Sequence, residues 1–179
     1  MAESTKPRKI LGTHDAPYFD SLKELISSQS RATLLAWVIK YAEANYLPIF
    51  EARIPDDPRP RATLRYAQIY KLAQPLTGMW IRAKALDCHA AARAAEFDPA
   101  AQAAARACAL ASSTIYELGH TLGVGYFGAA AVAYDRVGIT ADEQTYEQLA
   151  AEEIARYCAA LEAIAVVDDP EPCLIEWRL

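Results

Sequence analysis

Apolar residues recur along the chain with the spacing of amphipathic helices. They fall at intervals of three and four from Phe19 to Ile26 and again from Leu34 to Ala42. Ser30 is the predicted N-cap of the second of these helices. Pro48 lies within the continuation of the same pattern, so we expect a kink or a restart of the helix near Tyr46.

Prolines and a capping aspartate divide the middle of the chain into three further helices. The third is predicted from Pro60 to about residue 73, because proline fits the first helical turn, where its missing N–H costs nothing. The fourth is predicted from about residue 77 to 96. Asp98 and Pro99 have the residue types of an N-cap and a first helical position, which predicts a fifth helix to about Leu118.

Four glycines between residues 119 and 128 lower the helix propensity of the next segment. We still predict helix through Val137, since glycines also permit close helix packing. Gly138 is a predicted C-cap. Thr140 and Glu143 have the spacing of a capping box, and the last long helix is predicted to run from there to about Ala165.

Alanine dominates the composition, with 37 alanines against 7 glycines among 179 residues. Alanine is the best helix former, and its small side chain lets helices approach closely. The chain length suits one domain. The predicted fold is therefore all-α, a single-domain, alanine-rich bundle of about six to seven helices, with bulk in its core supplied by residues such as Trp37, Phe50, Tyr66 and Trp80.

Three segments are expected along the chain. Residues 1–14 form a flexible N-terminus, residues 15–166 form the helical bundle, and residues 167–179 form a C-terminal tail. The tail is predicted to be a short strand or an extended arm that packs Leu174 and Trp177 onto the body.

Charge and cysteine content narrow the function classes. The net charge of −5 disfavours nucleic-acid binding, because neutralising phosphates requires a basic face. No apolar run is long enough to cross a membrane, so we expect a cytoplasmic protein that does not bind membranes.

The cysteines have no Cys-x-x-Cys pair and are interpreted as free thiols, and the histidines lack metal-ligand spacing. We therefore expect no metal and no cofactor.

The stretch from Ile54 to Ala62, IPDDPRPRA, concentrates prolines, aspartates and arginines in a chain otherwise rich in alanine. One interpretation is a solvated loop between two helices. The other is an internal polar network, with Asp57 and Arg61 inside and Asp56 and Arg59 more exposed. The second interpretation predicts that Arg61→Ala costs about 3–5 kcal/mol, and that Arg59→Ala costs about 0.5 kcal/mol or less.

Four more polar residues stand out in predicted helices. His89 and Arg93 are four residues apart and so share a helix face. Arg106 and His120 follow in later segments. A buried arginine must be paired, which favours salt bridges inside the bundle. The alternative is that histidines and an aspartate line a pocket.

Taken together, IPDDPRPRATLRYA, the GMWIRAKALDCHAAARAA segment and the DPAAQAAARACALASSTIYELGHTLGVGYFGAAAV segment resemble the Imm-five-like immunity proteins of bacterial polymorphic-toxin systems. The resemblance covers about residues 37–134. Its Pro-x-Asp-x-Arg-Pro-Arg box and two later helices are matched here by Pro55, Asp57, Arg59, Pro60 and Arg61, by His89 and Arg93, and by Arg106 and His120. This chain departs from the pattern in Cys88 and in its glycine-rich last helix.

The resemblance implies an all-α, non-catalytic protein that binds and neutralises a cognate protein toxin. The matched residues are then either part of the binding surface or an internal polar network, which we expect to contain Asp57, Arg61, His89 and Arg93. A different class remains open: a helical enzyme or small-ligand binder using Asp57, His89 and His120. A structural scaffold or a homo-oligomer is also compatible with the sequence.

Overall fold

A computed structural model describes residues 7–12, 17–73, 78–173, 175 and 177. Within these residues the chain is helical and contains no strand. The helices are α1 (Pro17–Ser27), α2 (Arg31–Tyr41), a π-helical turn (Ala42–Tyr46), α3 (Leu47–Arg53), α4 (Arg59–Ala73), α5 (Gly78–Ala94), α6 (Pro99–Ser113), α7 (His120–Val137) and α8 (Glu143–Glu162).

The helices α2 and α3 form one continuous rod, because the π turn between them keeps right-handed helical backbone angles at both of its junctions. The described residues therefore contain seven helical rods, and the predicted all-α class is confirmed. The irregularity expected near Tyr46 is this π turn, which lies just before Pro48.

The alanine-rich helix α6 is the centre of the bundle. It packs against α5 on one side and α7 on the other, and it also contacts α3, α4 and the π turn. Eleven of its residues are buried, and eight of these are alanine. Small side chains allow these helices to pack closely, as the composition predicts.

Large aromatic residues from the surrounding helices fill the remaining core. Trp37 is buried and stacks on Tyr157 with ring centroids 4.1 Å apart. Phe50 is fully buried, as predicted. Trp80 is not a core residue: its side chain is 38% exposed and lies edge-on against Tyr66 at the surface.

Several predicted helix ends are confirmed and others are wrong. Asp98 caps α6 by accepting a hydrogen bond from the Ala101 N–H at 3.0 Å. Gly138 follows α7 with φ of 68°. The cap of α8 is Asp142 rather than Thr140, since Asp142 accepts the Thr145 N–H at 2.8 Å.

The fifth and last helices are also shorter than predicted. Helix α6 ends at Ser113 instead of Leu118, and a turn of residues 114–119 separates it from α7. Helix α8 ends at Glu162 instead of Ala165. The glycine-rich segment is helical from His120, as predicted.

Both terminal segments lie against the bundle where they are described. In the N-terminal segment that we expected to be flexible, Leu11 is fully buried and Arg8 pairs with Glu147 at 3.0 Å. In the tail, Cys173 donates its N–H to the Gln29 carbonyl at 2.9 Å, and Trp177 packs against the core. Leu174 lies outside the described residues.

The described helices include none with the length and apolar character needed to cross a membrane. All four cysteines are free thiols, as predicted, and Cys88 and Cys108 are buried.

Candidate functional site

The start of α4 is organised by an ion pair between Asp57 and Arg59. The Asp57 carboxylate accepts the Arg59 Nε–H at 2.8 Å and the Arg59 backbone N–H at 3.1 Å. Hydrogen bonds from Arg59 lower the pKa of Asp57, although partial burial opposes the shift. Asp57 therefore stabilises both the guanidinium group and the first turn of α4.

The expected roles of Arg59 and Arg61 are reversed in the structure. Arg61 points outward, with its side chain 60% exposed, and pairs with Glu51 of α3 through two hydrogen bonds of 2.5 Å. Arg59 is the partner of Asp57. The reason is geometric: helix α4 begins at Arg59, so Arg59 adjoins the loop that holds Asp57, whereas Arg61 lies within the first turn and faces the end of α3.

The expected network of Asp57, Arg61, His89 and Arg93 does not form. Neither His89 nor Arg93 is among the groups that act on Asp57 or Arg59, and the charges acting on His89 come from Arg93, His120 and Arg106. The structure thus brings together His89, Arg93, Arg106 and His120, and it separates them from the Asp57–Arg59 pair.

We call the surface formed by these residues the arginine face. Positions 82, 86, 89 and 93 of α5 are spaced as one stripe along the helix, next to α6 and α7. The Arg82 guanidinium lies 4.7 Å from the Tyr116 ring centroid, and that ring lies 6.2 Å from the His120 ring. The arginine face consists of Arg82, Leu86, His89, Arg93, Arg106, Tyr116, His120 and Phe127.

The three arginines of this face have no carboxylate partner among the described residues. Arg82, Arg93 and Arg106 share this property with the exposed Arg31 and Arg65, whereas Arg53, Arg59, Arg61 and Arg156 form ion pairs at other places in the bundle. Arg106 is half-buried, and its guanidinium lies 5.6 Å from the Phe127 ring centroid. Burial lowers the pKa of Arg106 from its ordinary value. Three guanidinium groups thus lie at one surface without a hydrogen-bond acceptor among the described residues, and two of them lie over aromatic rings.

Both histidines of the face favour the neutral form. Burial lowers the pKa of His89, and the neighbouring positive charges of Arg93, His120 and Arg106 lower it further. Burial also lowers the pKa of His120, against an opposing effect of Glu117. The Nδ1 atom of His120 is buried and has no hydrogen-bond partner among the described residues.

A buried carboxylate that sequence reasoning missed lies on the other side of the bundle. Glu153 of α8 is 1% exposed and accepts hydrogen bonds from Tyr41 Oη at 3.0 Å and from Tyr46 Oη at 2.9 Å. Its second oxygen accepts the Arg156 Nε–H at 3.0 Å. The pKa of Tyr46 is raised by burial and by the Glu153 charge. This cluster joins the π turn to α8.

The residues proposed for an enzymatic alternative do not share one site. The Asp57 carboxylate is engaged by Arg59, while His89 and His120 lie on the arginine face among positive charges. Within the described part of the chain, no group of three histidine, cysteine or acidic side chains is arranged to hold a metal ion.

Comparison with known proteins identifies a family. A family model described as "Imm-5 like putative immunity protein" matches residues 24–160, which include both the Asp57–Arg59 pair and the whole arginine face. No curated protein and no solved structure matches the chain.

Proposed function

The chain belongs to the Imm-5 like family of immunity proteins, and on that basis we propose that it binds a cognate protein toxin in the bacterial cytoplasm and neutralises it without catalysis. In this proposal, non-covalent surface contacts inhibit the toxin, and the toxin is chemically unchanged in the complex. Such a protein needs a stable scaffold and a set of surface groups whose hydrogen bonds are not used within its own fold.

The arginine face is the observation that supports a binding role most directly. Its arginines form no ion pair with any described residue, and two of them lie over aromatic rings. Arginine and aromatic residues are enriched among the side chains that contribute most to protein–protein affinity. The rings of Tyr116 and Phe127 position Arg82 and Arg106, which lowers the cost of ordering these two side chains on binding.

The chemistry of the same residues favours binding over catalysis. A histidine acting as general base is ordinarily oriented by a third group, often a carboxylate. His89 instead has Arg93 and Arg106 as its charged neighbours, and both disfavour its protonation. Cys88 is buried, and burial raises the pKa of its thiol, so it is a poor nucleophile.

Co-expression tests this proposal. Candidate toxin domains from the neighbouring genes are each expressed in a sensitive host with and without the chain. We expect survival only when the chain is present, together with a stable complex on gel filtration. Toxin separated from the complex under denaturing conditions and refolded should regain its activity. Survival without any complex, or a toxin that remains chemically inactivated after separation, would exclude neutralisation by binding.

A further inference from the structure

The arginine face has a charge opposite to that of the chain as a whole. The net charge of the protein is −5. The face nevertheless carries three arginines: Arg82 and Arg93 lie on one stripe of α5, and Arg106 of α6 acts together with Arg93 on the charge of His89. Two acidic residues lie near the face: Glu117, which acts on His120, and Glu96, which lines a cleft with Arg106. Neither forms an ion pair with a described residue, so the described part of the chain provides no salt bridge to the three guanidinium groups.

Two of these guanidinium groups are held in defined positions by aromatic rings. Arg82 lies over Tyr116 and Arg106 over Phe127, at 4.7 and 5.6 Å from the ring centroids. Stacking leaves the edge of the guanidinium group free, and that edge is the fork that binds a carboxylate through two parallel hydrogen bonds. The Tyr116 ring is itself fixed by a hydrogen bond: its hydroxyl group donates to Ser113 Oγ at 2.8 Å. The Ser113 hydroxyl group in turn donates to the Ala109 carbonyl.

Burial of Arg106 gives a further reason to expect an anionic partner. A charge removed from water without a counter-charge is costly, and the cost is recovered when a carboxylate binds. Arg106 is half-buried in the free protein and unpaired among the described residues. A bound carboxylate at this position would supply the missing counter-charge.

Apolar groups between the charges point to a protein segment rather than a nucleic acid. Leu86 is 60% exposed and lies between Arg82 and His89 on the α5 stripe. The partly buried Phe127 and Leu110 lie nearby on α7 and α6. Arginine with aromatic and aliphatic side chains is the composition of protein interfaces. A nucleic-acid surface would instead need a strongly basic domain.

We propose that the arginine face docks an acidic segment of the toxin that also carries aromatic or aliphatic side chains. Carboxylates of that segment pair with Arg82, Arg93 and Arg106, and its apolar side chains cover Leu86 and Phe127. This inference rests on the proposed immunity function, and it adds the surface and the chemistry of the partner.

A defined peptide tests the docking chemistry without the toxin. Fluorescence anisotropy measures binding of the full-length chain to a labelled peptide of alternating glutamate and tyrosine. Two probes serve as comparisons: the same peptide with glutamine for glutamate, and an oligouridylate of equal charge. We expect the glutamate peptide to bind, with affinity falling as salt rises, and the glutamine peptide to bind at least about tenfold more weakly.

Two triple variants with the same charge change locate the binding surface. Arg82→Gln, Arg93→Gln and Arg106→Gln together should weaken binding of the glutamate peptide by about tenfold or more. The control combines Arg31→Gln, Lys40→Gln and Arg65→Gln, all exposed and away from the face, and should change affinity less than about twofold. If the first variant does not fold, Arg82→Gln with Arg93→Gln replaces it, because both of these side chains are exposed.

Three outcomes would overturn the proposal: equal weakening in both triple variants, equal binding of the glutamine peptide, or tighter binding of the oligouridylate. Failure of the peptide to bind, while the chain still protects cells from the toxin, would reject the acidic partner and leave the immunity function intact. Peptide binding without protection would reject the immunity function instead.

Discussion

The Tyr46 ring lies so close to Gly128 that a Cβ atom at Gly128 would stand 2.0 Å from the ring carbon Cζ. Tyr46 belongs to the π turn and is fully buried, and its hydroxyl group is fixed by Glu153. The close approach brings the π turn against α7 on one side and joins it to α8 on the other. Glycine at position 128 is therefore required by packing and not by backbone angle.

Gly128→Ala tests this contact. The methyl group would displace a rigid, hydrogen-bonded ring, so we expect a loss of about 2–3 kcal/mol in the free energy of unfolding, despite a gain of about 1 kcal/mol in helix propensity. The control is Gly123→Ala in the same helix, where the nearest atom is Leu110 Cδ1 at 2.7 Å. Leu110 is only partly buried and can rotate, so the control should stay within about 1 kcal/mol of the original protein. Urea unfolding monitored by circular dichroism measures both; similar losses would contradict the contact.

Glu153→Ala tests the buried carboxylate cluster. The substitution leaves the hydroxyl groups of Tyr41 and Tyr46 without their acceptor and removes the partner of Arg156. We expect a loss of about 3–5 kcal/mol in the free energy of unfolding. Glu152→Ala removes an adjacent, exposed carboxylate and should cost about 0.5 kcal/mol or less. Chemical denaturation of the two variants would disprove the cluster's role if the losses were equal.

Substitutions in the 54–62 stretch should show the reversed roles of its arginines. Arg59→Ala leaves the half-buried Asp57 carboxylate without its ion pair, so we expect a loss of about 1–2 kcal/mol. Arg61→Ala removes an exposed pair with Glu51 and should cost about 0.5 kcal/mol or less. Thermal melts compare the two variants, and a larger loss for Arg61→Ala would restore the original expectation from the sequence.

The contribution of the Asp57–Arg59 ion pair to the free energy of unfolding should decrease at acidic pH. Because the pKa of Asp57 is lowered in the folded protein, its contribution to stability is present above the unfolded pKa, near 3.9, and is lost as the pH falls through the folded value. The difference in unfolding free energy between the original protein and Asp57→Asn should therefore shrink below about pH 4. A difference that stayed constant from neutral to acidic pH would contradict this assignment.

The histidines of the arginine face should make stability depend on pH in a higher range. Their folded pKa values are lowered, so the unfolded chain binds more protons once the pH falls below about 6.5. Stability should therefore decrease from about pH 7 to pH 5, and the decrease should be smaller in a His89→Gln, His120→Gln variant. Guanidinium titrations at several pH values measure this, and an identical pH profile in the variant would contradict it.

Local residue patterns predicted much of the helical architecture. Asp98 followed by proline, and Gly138 after an apolar helix, are short-range signals whose outcome depends on few other residues. The capping box at Thr140 was wrong because Asp142, two residues later, offered the α8 N–H groups a carboxylate at shorter range. Sequence spacing alone does not show which of two possible N-caps, Thr140 or Asp142, begins the helix.

The partners of charged groups were harder to predict, because they depend on where each helix begins and on distant contacts. Because α4 begins at Arg59, Arg59 pairs with Asp57 and Arg61 is the more exposed arginine, the reverse of the prediction. Glu153 reads as an ordinary solvent-facing residue of an amphipathic helix, and its tyrosine partners lie more than one hundred residues earlier. The four later motif residues lie on one surface in the structure, which adds Arg82, Tyr116 and Phe127 to them.

The affinity of the chain for its toxin tests the central claim most directly. Isothermal titration calorimetry compares the original chain with the two charge-matched triple variants, using the toxin domain that the co-expression test identifies. Loss of Arg82, Arg93 and Arg106 should weaken binding by about a hundredfold or more, whereas loss of Arg31, Lys40 and Arg65 should leave the dissociation constant within about twofold. Unchanged affinity in the first variant, or an equal loss in both, would contradict the assignment of the arginine face as the toxin-binding surface.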